Sequence, residues 1–469
     1  MIDDLIIGTG PTAWAAAEGV IARGGFPVLL DFGLRPNITA PIISGTSSLA
    51  VKGDSERAAL FSYPNTLVSA SDGRHLPISS ARGGLSKIWG AGILMRSIQE
   101  LSELAPISSE LDAAFHALYN LLPSTGKNDQ LSNRFPLPIS QGVAPTSRRY
   151  ENFISKMQNS NSDVLVGYPR MAMKTERSAC IRCGLCLSGC PESLFFSADL
   201  FLNKLEELGK CGFEVGPALS IESSGESSIV NTPFGQLKAR RIYLAAGPIG
   251  TPALLQRSNL VPEVLEVMDS AVFYSGLINQ NATTGSEKDF TSSNASIFSN
   301  SAGSDDFQIA VYESNPEYIQ RVKSAIPRLG SLVKVPKSVI SRINPVIGFL
   351  DSSVSGRLKL NYRGGRTWVD RQSSPETKHH VNRALARTSL ALKGTGVHVL
   401  KKISLVPVPG SGYHSGASLP MGGSLIDFGA RLREAPSIMI VDASSLPRIP
   451  AGSHTFTAMA NAYRVAVGN

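Results

Sequence analysis

Four of the five cysteines stand at Cys180, Cys183, Cys186 and Cys190, and Pro191 follows at once. The spacing C-x2-C-x2-C-x3-C-P is that of bacterial ferredoxins, where short spacers let neighbouring thiolates converge on one iron–sulfur cube. Gly184 and Gly189 relieve crowding where such a backbone wraps closely. Four thiolates also suit zinc, although zinc sites more often take two separated pairs. In two-cluster ferredoxins the fourth cysteine of such a run serves the other cluster, and only one run exists here. Three arrangements therefore stay open. Cys190 folds back to complete a [4Fe-4S] cluster, the distant Cys211 completes it, or three ligands hold a [3Fe-4S] cluster. Cys211, in the strand-like KCGFEV, reads as a buried free thiol. Disulfides are not expected without a secretion signal.

A second constellation opens the chain. Leu5-Ile6-Ile7 reads as a buried parallel strand, Gly8, Gly10 and Ala13 form GxGxxA, and an Ala-rich helix follows to about Ala22. Pro27–Leu30 then makes a second strand that ends in Asp31. Gly8 permits the tight turn, Gly10 lets backbone approach a pyrophosphate, and Ala13 allows close helix–strand packing. The helix N-terminus offers unpaired N–H groups to the anion, and Asp31 stands where an acid accepts ribose hydroxyls. This pattern predicts a dinucleotide site without separating FAD from NAD.

Residues 413–423 read YHSGASLPMGG, and residues 438–466 read IMIVDASSLPRIPAGSHTFTAMANAYRVA. These segments resemble the C-terminal signature of the glucose–methanol–choline (GMC) oxidoreductases. Arg82-Gly83-Gly84-Leu85-Ser86, running on to Trp89-Gly90, resembles that family's Gly-Gly-x-Ser loop. Leu244-Ala245-Ala246-Gly247-Pro248 resembles its second signature. The resemblance covers roughly the first hundred residues, 235–260 and 405–469, around a divergent middle. It implies FAD, held by Gly8, Gly10, Ala13, Asp31, Arg82, Gly83, Gly84, Ser86, Ala246, Gly247, Asp442, Ala443, His454 and Thr455. No histidine follows the Gly83-Gly84 loop before Glu100, so the flavin is expected to be bound non-covalently. Asp442 reads equally well as a flavin neighbour and as a plain helix N-cap.

The same resemblance makes His414 and His454 the catalytic pair. Oxidising an alcohol removes a hydroxyl proton and sends the carbinol hydride to the flavin. A neutral imidazole can take that proton around neutral pH. His414 is assigned as base and His454 as its partner, with the roles exchangeable. The other histidines (His75, His116, His379, His380 and His398) receive no role. The implied substrate is a sugar or polyol. The cysteine run departs from the best-known members and resembles a smaller bacterial subset with a ferredoxin-type insertion. Flavin beside a cluster favours a dehydrogenase that feeds a one-electron acceptor such as ferredoxin, a cytochrome or a quinone. The alternatives are a reductase or isomerase working the pocket in reverse, or a non-catalytic electron-transfer subunit.

The elements that must hold these groups follow from size and composition. A chain of 469 residues exceeds one compact core, and 42% hydrophobic residues leave ample material for two lobes. Only 17% are charged, while Gly (43) and Pro (29) are plentiful, which suits a loop-rich α/β enzyme. The expected fold is a Rossmann-like FAD-binding domain with a discontinuous α+β substrate domain. Residues 1–100 and 196–260 form the FAD domain, 101–170 an excursion, and 171–195 the cysteine loop. Residues 261–404 form the substrate domain, and 405–469 complete both. Helices are expected near 108–121 and 198–208, and the Ser/Asn/Thr-rich stretch 276–306 reads as loops.

The net charge of +8 is diffuse, without the basic–aromatic cassettes that nucleic-acid binding would call for. The stretch 321–350 carries six basic residues and no acid, interrupted by Pro327, Pro336 and Pro345. It reads as a basic strand-and-turn surface, or as a peripheral membrane contact reaching a quinone or lipid-linked substrate. Without a signal peptide or an 18-residue apolar run, a cytoplasmic setting is expected.

Overall fold

The apolar run at the start folds as strand Ile2–Ile7, buried from Asp4 onward. It lies between two strands parallel to it, Pro27–Asp31 and Gly235–Leu244. Gly212–Val215 extends the parallel set on one side and Ala435–Ile440 on the other. Arg431–Leu432 and the hairpin Ser220–Ser224/Ser227–Thr232 complete an eight-stranded sheet. The inner ends of the central strands, Leu5 to Ile7 and Ile242 to Leu244, are apolar and buried, as inner parallel strands require. The computed structural model describes residues 1–34, 64, 66–96, 100, 102–137, 142–158, 162–175, 180–184, 186, 190–279, 290–301, 303–313 and 342–469.

Helix Pro11–Ala22 follows the first strand and packs along the last helix, Thr455–Val467. The two backbones come very close at Gly19. A Cβ there would stand 2.7 Å from the Tyr463 carbonyl oxygen and 2.8 Å from Ala466 Cβ. Helices also form at Ser108–Leu121 and Ala198–Glu207, as the sequence predicts.

A six-stranded antiparallel sheet carries the second core, in the order Val397–Val399, Val272–Asn279, Ile343–Leu350, Phe307–Tyr312, Ser293–Ser299, Val164–Gly167. Phe273, Phe307, Ile309, Val311 and Val346 share a cluster with Tyr150 and Ile154 of helix Arg148–Met157 and with Val381 and Leu385 of helix Thr377–Ala391. Strand alternation leaves Tyr274, Gln308, Ala310, Ile347 and Phe349 for the opposite face. A third sheet runs Ser415–Gly416, Val264–Asp269, Arg357–Arg363, Arg366–Gln372, Val68–Ala70. Its Leu265, Val267, Leu358, Leu360 and Val369 join the first core. The whole is a mixed α/β fold with a Rossmann-like sheet.

Two expectations change. The stretch 276–306 is not all loop: it holds the end of Val272–Asn279 and all of Ser293–Ser299, every residue of which is buried. The basic stretch divides as well. Its part from Ile343 to Leu350 is an inner strand of the six-stranded sheet, whereas 321–341 lies outside the described residues. No helix among the described residues is long and apolar enough to cross a membrane.

Candidate active site

The first turn is built for close backbone contact. Gly8 has φ +112°, and a Cβ on it would stand 2.4 Å from the Ala245 carbonyl oxygen. No L side chain fits there. A Cβ on Gly10 would meet nothing within 4 Å, because that side of the turn faces a cavity. Thr9 ties three segments together. Its hydroxyl donates to Asp31 Oδ2 at 2.7 Å and accepts from the Gly83 N–H at 3.0 Å. Asp31 Oδ1 accepts from the Gly33 N–H at 2.9 Å. Burial raises the Asp31 carboxyl, against the pull of Gly33, Thr9 and Arg82.

The Gly-Gly loop lies over this turn, with the Cβ position of Gly84 3.5 Å from Gly10 Cα. Ser86 spends its hydroxyl locally, donating to the Gly83 carbonyl at 2.5 Å and accepting from the Ala198 N–H at 2.9 Å. Arg82 turns away from the cavity, pairing with Glu206 at 2.9 Å and lying 3.5 Å over the Phe213 ring. Asp442, just past strand Ala435–Ile440, is buried and caps the turn Ala443–Ser445 through the Ser444 N–H at 2.9 Å. It also accepts from the Gly247 N–H at 2.8 Å and from the Thr251 hydroxyl, so one carboxylate joins both signature loops. Burial raises its carboxyl, and these donors oppose the rise.

The two histidines come from separate elements and meet. Their ring centroids lie 5.3 Å apart, nearly perpendicular at 87°. His414 follows a turn held by Asp269, which accepts from the Ser415 hydroxyl at 2.8 Å and the Gly410 N–H at 3.0 Å. Burial pushes the Asp269 carboxyl up to about 6. The His414 ring stacks on Phe349 with centroids 4.1 Å apart. His454 is the N-cap of the last helix. The carbonyls just before it are held by Arg96, at 2.5 Å to Ala451 and 3.3 Å to Ser453.

Neither Nδ1 has a hydrogen-bond partner among the described residues. Burial lowers the His454 imidazole to about 4, and the Arg96 charge adds to this. Burial, His454 and Arg96 hold His414 well below the ordinary imidazole value. Both shifts favour the neutral imidazole, and backbone hydrogen bonds to Gly452 and Ser415 oppose the shift at His454.

One cavity of about 470 Å³ joins all of this. Its walls include Gly8, Gly10, Asp31, Gly84, Ser86, Ala246, Gly247, Asp442, Ala443, His414, His454 and Thr455. Ala13, Arg82 and Gly83 do not border it; Ala13 is packed inside the first helix layer and the other two support the loop. The protein shares its fold with pyridoxine 4-oxidase. The crystal structure of that enzyme from Mesorbium loti superposes with TM-score 0.65 at 16% identity, covering 99% of this chain and 98% of the other. In all, 655 solved chains match, a breadth that carries fold and not activity. No protein-family model matches the sequence, and no curated protein sequence matches it. The likeness agrees with the mixed α/β fold and Rossmann-like sheet that the sequence predicts.

The four clustered cysteines border one small apolar pocket with Met173, Leu194, Phe195 and Phe290. Backbone N–H groups of Thr291 and Ser292 face Cys186, and those of Glu192 and Leu194 face Cys190. Such donors suit thiolate sulfurs. Yet among the described residues no three His, Cys, Asp or Glu side chains are grouped closely enough to hold a metal ion. Cys211 is buried in the first core instead, its Sγ 3.9 Å from the Leu202 carbonyl oxygen.

Thr9, Arg96, Asp269, Gln308 and Phe349 escaped the sequence reading. Only Thr9 had a local signal, sitting inside the glycine turn. The others reach the site from strands and loops far away in the chain.

Proposed function

We propose that the protein is an FAD-dependent alcohol dehydrogenase. The observation that carries this reading is the continuity of one cavity, from the Gly8–Gly10 turn to the facing rings of His414 and His454. Gly10, Asp31, Gly84, Gly247 and Thr455 would hold the dinucleotide, without a covalent link. Bound FAD would supply the hydride acceptor. The His414 imidazole would take the substrate hydroxyl proton as the carbinol C–H electron pair departs with its hydrogen, leaving a carbonyl product. His454, nearly perpendicular to it, orients the same oxygen. The likeness to pyridoxine 4-oxidase supports an alcohol as substrate. A sugar or polyol is the class that the family resemblance implies.

The electron outlet is part of the proposal. Cys180, Cys183, Cys186 and Cys190 would hold an iron–sulfur cluster, [4Fe-4S] being favoured over [3Fe-4S] or zinc. Such a cluster would pass electrons singly to a ferredoxin, cytochrome or quinone. Their shared pocket and its N–H donors support this; the thiols would have to close in on the metal. A cytoplasmic setting, which keeps thiols reduced, belongs to the same reading, as does peripheral membrane contact through 321–341 if the acceptor is a quinone.

Anaerobic mixing of purified protein with alcohols, read by bleaching of the flavin band, tests it. His414→Ala and His454→Ala are each expected to slow bleaching by at least about 10²-fold. Wild-type rates in both variants would end the acid–base assignment. Metal analysis that finds zinc and no iron would remove the outlet alone.

A further inference from the structure

The backbone just before His454 is gripped by one buried side chain. Arg96 Nη2 donates to the Ala451 carbonyl at 2.5 Å and to the Ser453 carbonyl at 3.3 Å. Gly452 lies between these two residues, and the His454 ring hydrogen-bonds to its backbone. The segment that carries Arg96 adds a second hold, because the Gly92 carbonyl accepts from the Ser453 hydroxyl at 2.5 Å. From the antiparallel sheet, Gln308 Oε1 accepts from the Ser453 N–H at 3.2 Å.

The Arg96 side chain is wholly buried, and its Nη1 pairs with Glu100 at 3.2 Å. Glu100 is shared with Arg134, which also pairs with Asp306 at 2.9 Å. Arg448 pairs with Asp351 and donates to the Glu100 carbonyl. Its Nε lies 3.4 Å from the half-exposed Glu103. Arg96, Arg134 and Arg448 thus balance three buried carboxylates, Glu100, Asp306 and Asp351. Apolar residues of similar volume often replace such buried pairs without loss of stability, so stability alone does not call for Arg96. An apolar side chain would lack the fork that grips two carbonyls and the fixed positive charge.

We propose that Arg96 is a positioning residue for the histidine pair, fixing the backbone that carries His454 and setting a buried positive charge against both imidazoles. Its kinetic consequence rests on the alcohol-oxidising reading of the cavity. A cation there disfavours a second cation, so the rings stay free to accept a proton. Its charge adds to burial in lowering His454, and to burial and His454 in lowering His414. Other elements around the pair bring Asp269, Asp442, Arg170 and the phenols of Tyr274, Tyr312 and Tyr413. Asp269 is engaged by Ser415 and Gly410, Asp442 by Ser444 and Gly247, and Arg170 by Asp129. Among the described residues, Arg96 is the cation that bears on both rings.

Histidine titration is read by NMR on FAD-loaded, oxidised protein carrying labelled histidine, with His414→Asn and His454→Asn assigning the signals. In the wild type both rings are expected to titrate below the ordinary value of about 6.5. Arg96→Met combined with Glu100→Gln removes one charge of each sign and keeps the network balanced. This double variant is expected to raise both titrations by about one unit or more, and the acid limb of flavin bleaching with them. Arg96→Lys keeps the charge and loses the fork. Its titrations should match the wild type, with bleaching at least about 10-fold slower. A wild-type ring that titrates at or above about 6.5 overturns the proposal, whether or not the double variant folds. Unmoved titrations in the double variant overturn it too, as does wild-type bleaching in Arg96→Lys. Raised titrations in a protein that no alcohol bleaches uphold the role of Arg96 and count against the dehydrogenase reading alone.

Discussion

At the scale of single residues, burial decides the chemistry. His454 is pushed down to about 4, chiefly by loss of water and then by the Arg96 charge. In an unfolded chain the same imidazole titrates near about 6.5. Below that value the unfolded state binds a proton that the folded state refuses, so stability falls as pH falls from about 6.5 toward 4. Above about 6.5 the group contributes no pH dependence. Urea melts at pH 7.5 and pH 5 should show the loss, and His454→Asn should shrink it. A slope unchanged by the substitution would mean that His454 is not held neutral. His414 and His454 themselves were legible in the sequence because each sits in a short motif. Arg96 was not, because its partners Ala451 and Ser453 lie some 355 residues away and no local pattern announces that contact.

Among the elements, the contact between the first and last helices matters most for the site. The last helix carries His454 and Thr455 to the cavity, and Gly19 sets how closely it can lie. Gly19→Leu is expected to cost about 1–3 kcal/mol through overpacking, measured by chemical denaturation, and to weaken FAD binding. A stable variant with unaltered flavin affinity would show that the helix spacing is slack. The first strand, turn and helix were readable because their apolar runs and glycine spacing are local. Ser293–Ser299 was not. Its sequence, SNASIFS, is buried throughout, so no alternation marks it, and its serines look like loop. The Ser299 hydroxyl instead lies 2.7 Å from the Ser301 carbonyl and 2.9 Å from Asp306, with one proton to give to either. Hydrogen bonds of this kind make a polar strand tolerable inside, and composition cannot reveal them.

For the molecule as a whole, the dinucleotide is expected to act as a structural ligand. The cavity runs between both lobes, so occupying it ties the Rossmann-like sheet to the antiparallel one. At a free FAD concentration 100 times its Kd, linkage predicts about 2.7 kcal/mol of added stability. Thermal melts with and without added FAD would measure it, and identical melts would contradict a cofactor bound in this cavity. The Rossmann-like sheet was legible from the motifs at either end. The floor of the cavity was not, because it is assembled from the divergent middle, where strand pairing and not sequence proximity puts Ile347 beside Ala310 and Tyr274.

The strand order of the first sheet also imposes a schedule on synthesis. Ile2–Ile7 emerges from the ribosome well before its neighbour Gly235–Leu244, and that strand well before Ala435–Ile440 and the helix Thr455–Val467. Until those later elements are made, the glycine turn has neither the strand nor the helix that completes its pocket. Loading of the proposed cofactor would have to wait for them, and the waiting apolar strands need shelter from aggregation in the meantime. A chain stopped after Glu434 should retain no FAD on gel filtration, whereas the full chain should retain it.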